Sequence, residues 1–80
     1  MHLTLYSREY CHLCHDMIAA LVARQARHDF RLEIIDVDEN ETLEARHGEF
    51  VPVLVGADGK EICHYRLDPD ALDTYLKAAE

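Results

Sequence analysis

The sequence predicts an α/β fold: a four-stranded mixed sheet in the order β-α-β-α-β-β-α, with helices on both faces. Three observations carry that expectation. The chain opens with a strand-like run at residues 2–6, changes to helical spacing near Cys11, and returns to a branched apolar run from Phe30 to Val37. Two short apolar segments, Val51 to Val55 and Glu61 to Tyr65, flank the turn residues Gly56-Ala57-Asp58-Gly59, and Asp68-Pro69 announces a final helix. A strand-helix-strand unit lays its strands parallel, a hairpin adds an antiparallel pair, and few other architectures fit both into 80 residues.

Each element has a local reason. His2 to Tyr6 alternates and stops at Ser7-Arg8-Glu9-Tyr10, which suits a strand followed by a short loop. Cys14, Met17, Ile18, Leu21 and Val22 fall on one face of a helix over about residues 11–26, with Asp16, Ala20, Ala23 and Arg27 opposite. Ile34 and Ile35 are adjacent and point to opposite sides of an extended chain, so the second strand is expected to be covered on both faces. Asp38-Glu39-Asn40-Glu41 offers an acidic cap, and Gly48 a stop, for a short helix containing Leu43 to His47. The Asp58-Gly59 pair suits a hairpin turn. In the last helix Asp68 is the expected N-cap, Pro69 takes the first helical position, and Leu72, Tyr75 and Leu76 repeat at helical spacing up to the terminus.

Hydrophobic residues make up 49% of the chain and charged residues 30%, with no low-complexity tract, which predicts one folded unit over residues 1–80 without linkers. Residues 1–30 hold three acids (Glu9, Asp16, Asp29) against three bases (Arg8, Arg24, Arg27), so the net charge of -8 lies wholly in residues 31–80. An acidic chain without a stripe of Lys and Arg argues against nucleic acid and anionic membrane as partners. No stretch has the basic flank and apolar core of a signal peptide or the length of a membrane span, so a cytoplasmic location is expected. In that reducing compartment three cysteines read as redox groups or metal ligands, and the odd count leaves Cys63 outside a pair.

Cys11-His12-Leu13-Cys14-His15 follows a strand and opens a helix, a context that makes a C-x-x-C specific. At a helix start the unpaired N–H groups and the positive end of the dipole favour a thiolate, so Cys11 is the expected nucleophile. One turn on, Cys14 lies beneath it on the core-facing stripe, placed to resolve a mixed disulfide. His12, His15 and Arg8 each bring positive charge near that sulfur, and Tyr10, directly before Cys11, is placed to shape access to it. The same five residues are dense in metal ligands, with Cys63-His64 available to complete a set, so a metal or iron-sulfur carrier is a second reading, although a second C-x-x-C is missing. His2, His28 and His47 stand in polar or terminal contexts and are expected to be solvated, whereas Tyr6, Phe30, Phe50 and Tyr75 read as core or rim packing.

With Cys11-His12-Leu13-Cys14 after Leu3-Thr4-Leu5-Tyr6, and Phe50-Val51-Pro52 some way on, the whole chain resembles the glutaredoxin-like proteins of thioredoxin fold. The resemblance implies a thiol-disulfide oxidoreductase in which Cys11 is the nucleophile, Cys14 the resolving thiol, Val51 the backbone anchor for substrate and Pro52 a cis-proline. It places Arg8 where a glutathione-binding lysine often stands. Its partners are then a disulfide-containing protein or a low-molecular-weight thiol, together with a thiol reductant system. No cofactor and no metal is required, and glutathione is a candidate reductant. Two departures count against glutathione: His12 and Leu13 stand between the cysteines in place of Pro and Tyr, and Cys63 to Asp68 lacks a Gly-Gly and an acidic pair. A third reading keeps the fold as a peptide-binding module that uses the Val51-Pro52 edge.

Overall fold

The computed structural model describes residues 1–78. Four strands, β1 (His2–Ser7), β2 (Arg31–Asp36), β3 (Val53–Val55) and β4 (Glu61–His64), form one sheet in the order β2-β1-β3-β4. Three α-helices connect and flank them: α1 (His12–Gln25), α2 (Glu41–His47) and α3 (Pro69–Ala78). β1 and β2 are parallel, joined through α1, and β1-β3 and β3-β4 are antiparallel. This is the expected mixed α/β sheet, and its layers follow from the strand period.

Residues directly opposite one another across paired strands share a face. Leu5 pairs with Leu54, and Leu54 with Cys63. That face, with Leu3, carries the main core: Met17 and Leu21 of α1 and Leu72 and Leu76 of α3 pack on it together with Phe30. The other face carries Tyr6 and Val53, which are paired, and α2 lies there, its His47 stacked on Tyr6 with ring centroids 4.2 Å apart. The hairpin between β3 and β4 turns at Gly59, whose φ of 81° is the left-handed conformation that glycine adopts freely. Tyr75 ties α3 to this hairpin, its hydroxyl accepting from the Ala57 N–H at 2.7 Å.

Several expected details are corrected. β2 is an edge strand and is not covered on both faces: Ile34 is 47% exposed, while Phe30 and Val37, just beyond its ends, are the buried residues. The helical layer sits over the central strands and stops short of this edge. On α1, Cys14, Met17 and Leu21 are buried and Ile18 partly so, but Val22 is 54% exposed, because it lies furthest round from the stripe that the other four define. Residues 37–39 form a separate 3-10 turn capped by Asp36, and Asn40 rather than an acid caps α2, accepting from the N–H groups of Thr42 and Leu43. Gly48 does end α2, yet with a right-handed φ of -55°; its role is space, since a Cβ there would meet the Glu44 carbonyl and stand 3.0 Å from the Arg8 guanidinium. Asp68 caps α3 as expected, accepting from the Ala71 N–H at 3.1 Å. The expectation that α3 runs to the terminus lies, beyond Ala78, outside the described residues. Among the described residues no helix is long and apolar enough to cross a membrane.

Candidate functional site

The register that pairs Tyr6 with Val53 antiparallel brings the Pro52 end of β3 to the Ser7 end of β1. Two loops therefore leave the sheet side by side: Arg8 to Cys11, entering α1, and Gly48 to Pro52, arriving from α2. The sequence-predicted residues fall on these two loops and on the first turn of α1.

Cys11 is the N-cap of α1, with extended backbone (φ -134°, ψ 106°). Its sulfur accepts the Cys14 N–H at 3.1 Å, and its carbonyl accepts from the His15 N–H at 3.1 Å. The sulfur thus takes the place that a serine or aspartate oxygen takes at most helix starts, at one of the four N–H groups that the helix leaves without a partner. Cys14 is fully buried, and the two sulfurs are joined in a disulfide with Cα atoms 5.2 Å apart. One sulfur faces the surface and the other the core.

The remaining expected residues take distinct places. His12 is exposed and its imidazole stands 3.5 Å from the Asp16 carboxylate, one turn along α1. His15 is also exposed. Tyr10 is 92% exposed in the turn before Cys11. Arg8 is engaged on the other loop's side, its Nε donating to Asp38 at 2.9 Å and its Nη2 to Glu44 at 3.2 Å. Pro52 is buried, the Val51-Pro52 bond is cis, and among the described residues the Val51 backbone makes no hydrogen bond.

Sequence reasoning missed Tyr65 beside this site, while Phe50 reads as core or rim packing and His64 only as a metal ligand. Tyr65 has a left-handed backbone (φ 65°); its N–H donates to the Pro52 carbonyl at 2.9 Å and its hydroxyl to the Glu49 carbonyl at 3.2 Å. Phe50 and His64 pack against its ring at centroid distances of 6.3 and 4.6 Å. The only hint in the sequence is that the segment after β4 departs from the glutaredoxin pattern, because a left-handed tyrosine leaves no signature of its own. Between Tyr65 and α1 runs a groove of about 380 Å³ that begins at His12 and Leu13. His47 also differs from expectation, half-buried in its stack on Tyr6, where burial and then the charge of Arg46 hold its pKa below the ordinary 6.5 against an opposing pull from Glu61.

Cys63 stands apart from the pair, buried under the core face, where burial pushes its thiol above the usual range. Among the described residues no three His, Cys, Asp or Glu side chains are grouped as metal ligands. The Cys11-Cys14 disulfide lies at the start of α1, away from the free thiol of Cys63.

Comparison with known proteins agrees with that geometry. A model of the glutaredoxin-like domain (DUF836) matches residues 2–77. The solution structure of protein Ne2328 from Nitrosomonas europaea is 46% identical over 94% of this chain and 89% of its own, with a TM-score of 0.85. The crystal structure of protein XcR50 from X. campestris is 35% identical, covering 98% of this chain and 99% of its own, with a TM-score of 0.72. Thioredoxin 1 from Thermosipho africanus, at 22% identity over 99% of this chain and 98% of its own, shares the fold with a TM-score of 0.66. The search of curated proteins returned no match. With the C-x-x-C disulfide capping α1, the mixed sheet behind it and a family match over nearly the whole chain, this protein belongs to the glutaredoxin-like domain family of the thioredoxin superfamily.

Proposed function

We propose that the protein is a thiol-disulfide oxidoreductase in which Cys11 attacks and Cys14 resolves. The observation that carries this reading is the asymmetry of the pair: Cys11 caps the helix at the surface with its sulfur on a backbone N–H, and Cys14 is buried one turn beneath. In the reduced protein that N–H and the helix dipole favour the Cys11 thiolate. The thiolate attacks one sulfur of a substrate disulfide, forming a mixed disulfide with Cys11 and releasing the other sulfur as a thiolate that takes up a proton. Cys14, giving up its proton, then attacks the Cys11 sulfur, releases the second substrate thiol and leaves the intramolecular disulfide seen here. Two electrons pass from the dithiol to the substrate. An external thiol reductant, glutathione or a protein dithiol, returns them, and no further cofactor takes part.

The supporting roles follow from position. The free backbone of Val51, next to buried Pro52, offers an extended substrate a strand-like partner, and Tyr10 borders the approach to Cys11. His12 and His15 place two exposed imidazoles on the first turn of α1 after Cys11. Arg8 acts through the loop: with Asp38 and Glu44 on its guanidinium, it links the Cys11 loop to the segment before Pro52.

Substituting Cys14 by serine tests the dithiol step. The variant is expected to accumulate a covalent adduct at Cys11 when mixed with a protein disulfide, read by intact mass, and to lose turnover. Undiminished turnover by that variant would remove the mechanism, and faster alkylation of Cys63 than of Cys11 in the reduced protein would remove the choice of nucleophile.

A further inference from the structure

We propose that Tyr65 sets the specificity of the disulfide site, walling a groove that receives a large apolar side chain next to the reacting cysteine of an extended polypeptide. This rests on the oxidoreductase reading above and names its substrate class.

The groove borders the two residues that separate the reacting cysteines. It begins at His12 and Leu13, the two residues between the cysteines, and runs along α1 past Met17 to Ala20, with Tyr65 to Leu67 as its far wall. A polypeptide joined through its own cysteine to Cys11 is tethered at the mouth, so a neighbouring side chain meets the groove at high effective concentration. Leu13, Met17, Ala20 and Leu67 give the walls an apolar lining, and Asp16, the acid among them, is paired with His12. The volume, about 380 Å³, lies in the range of sites that enclose an organic group.

Tyr65 is held there against its own preference. A left-handed φ is disfavoured for a residue with a bulky side chain, and a glycine would adopt it freely. The conformation is secured by three hydrogen bonds: Tyr65 N–H to the Pro52 carbonyl at 2.9 Å, its hydroxyl to the Glu49 carbonyl at 3.2 Å, and Arg66 N–H to the His64 carbonyl at 2.7 Å. Core packing does not account for the residue, which is 43% exposed. What the strained backbone achieves is placement: Tyr65 is bonded through its N–H to Pro52, which follows Val51, and at the same time lines the groove.

The same features select against a small anionic thiol. Glutathione has no apolar side chain to fill the groove, and the chain's net charge of -8 opposes its approach over distance although Arg66 on the groove wall is a cation, whereas a neutral or basic polypeptide meets neither obstacle.

Single-turnover reduction of two peptide disulfides by the reduced protein tests the proposal without added reductant. The peptides are alike except for Phe or Ala beside the cysteine. The Phe peptide is expected to react about tenfold faster in second-order rate constant, the size of effect that an apolar pocket gives. Tyr65→Gly, which relaxes the backbone, is expected to bring the ratio near one, and Tyr65→Phe to keep it. Should melting curves show that Tyr65→Gly has lost the fold, Leu67→Ala on the same wall gives the equivalent test. A ratio near one in the unaltered protein, or a ratio that survives the wall substitutions, overturns the role of the groove. Failure of the unaltered protein to reduce either peptide overturns the oxidoreductase reading itself, and this inference with it.

Discussion

Replacing Cys11 by serine and by alanine separates what its sulfur does for the fold from what it does in chemistry. Both changes are made with Cys14→Ala, so that no disulfide contributes. In the structure the Cys11 sulfur is the N-cap acceptor of α1, 3.1 Å from the Cys14 N–H, on a residue whose backbone is extended as an N-cap requires. A serine hydroxyl preserves the acceptor and alanine removes it. Loss of an N-cap costs about 0.5–2 kcal/mol, typically near 1. In a domain of this size about 1 kcal/mol moves the thermal midpoint by about 4–8 °C. The serine variant is therefore expected to melt higher than the alanine variant by about that interval, read by circular dichroism under identical buffer. Coincident melting curves would show that an acceptor at position 11 contributes nothing to the helix. They would also remove the argument that the same N–H is available to stabilise the thiolate, since one hydrogen bond underlies both.

Three other expectations follow from side-chain placement. Gly48→Ala puts a methyl against the Glu44 carbonyl and within 3.0 Å of the Arg8 guanidinium, so it is expected to destabilise by about 1–3 kcal/mol, read as a lower urea midpoint. The pKa of His47 is depressed in the fold, so the unfolded chain binds more protons; stability is fully present above pH 6.5 and falls as pH drops from there toward the folded value. His47→Phe keeps a ring on Tyr6 and should lose that part of the pH dependence; an identical pH profile of urea midpoints in the two proteins would refute the assignment. Of the two histidines flanking the cysteines, His15 is expected to matter more for Cys11 reactivity, because His12 is partnered by Asp16 and its side chain is 89% exposed. Cys11 alkylation should slow about two- to fivefold in His15→Ala, the scale of an exposed charge pair, and less in His12→Ala.

The strand-helix alternation, the C-x-x-C at a helix start and the Asp68-Pro69 cap were legible in the sequence because each is a local pattern whose structural outcome depends on near neighbours. Cys14 as the buried partner of Cys11 and the burial of Met17, Leu21, Leu72 and Leu76 follow from helical spacing, whereas Cys11 reads as the first helical residue and is instead the N-cap. What escaped depends on who lies alongside. The Ile34-Ile35 pair reads as a buried strand, but strand order leaves β2 at an edge, and order is a property of the whole sheet. Val22 fits the helical stripe in sequence yet lies at its margin. His47 reads as solvated in a polar run, and only the sheet brings Tyr6 beneath it. Tyr65 is the extreme case: its left-handed backbone is held by hydrogen bonds to Pro52 and Glu49, thirteen and sixteen residues earlier in the chain.

The two faces of the sheet divide the labour between stability and the site. The core face, with α1 and α3, holds the main buried cluster, from Leu3, Leu5 and Leu54 to Met17, Leu21, Leu72 and Leu76, so substitutions there act on the whole fold. On the other face α2 buries none of its own residues and is fastened by the Tyr6-His47 stack, the Arg8 ion pairs and the close approach at Gly48. The exposed ion pairs among these contribute tenths of a kcal/mol to about one each, so α2 can shift without unfolding the core. Its C-terminus leads directly into Phe50, Val51 and Pro52, and its ion pairs reach Arg8 on the Cys11 loop. A change at Arg8, Glu44 or His47 therefore acts on the spacing of the two loops that meet at the disulfide, and acts on rate before it acts on stability. The reverse pattern, melting temperature falling in step with activity across Arg8→Met, Glu44→Gln and His47→Ala, would mean that α2 is part of the core's cooperative unit and not a separate support of the site.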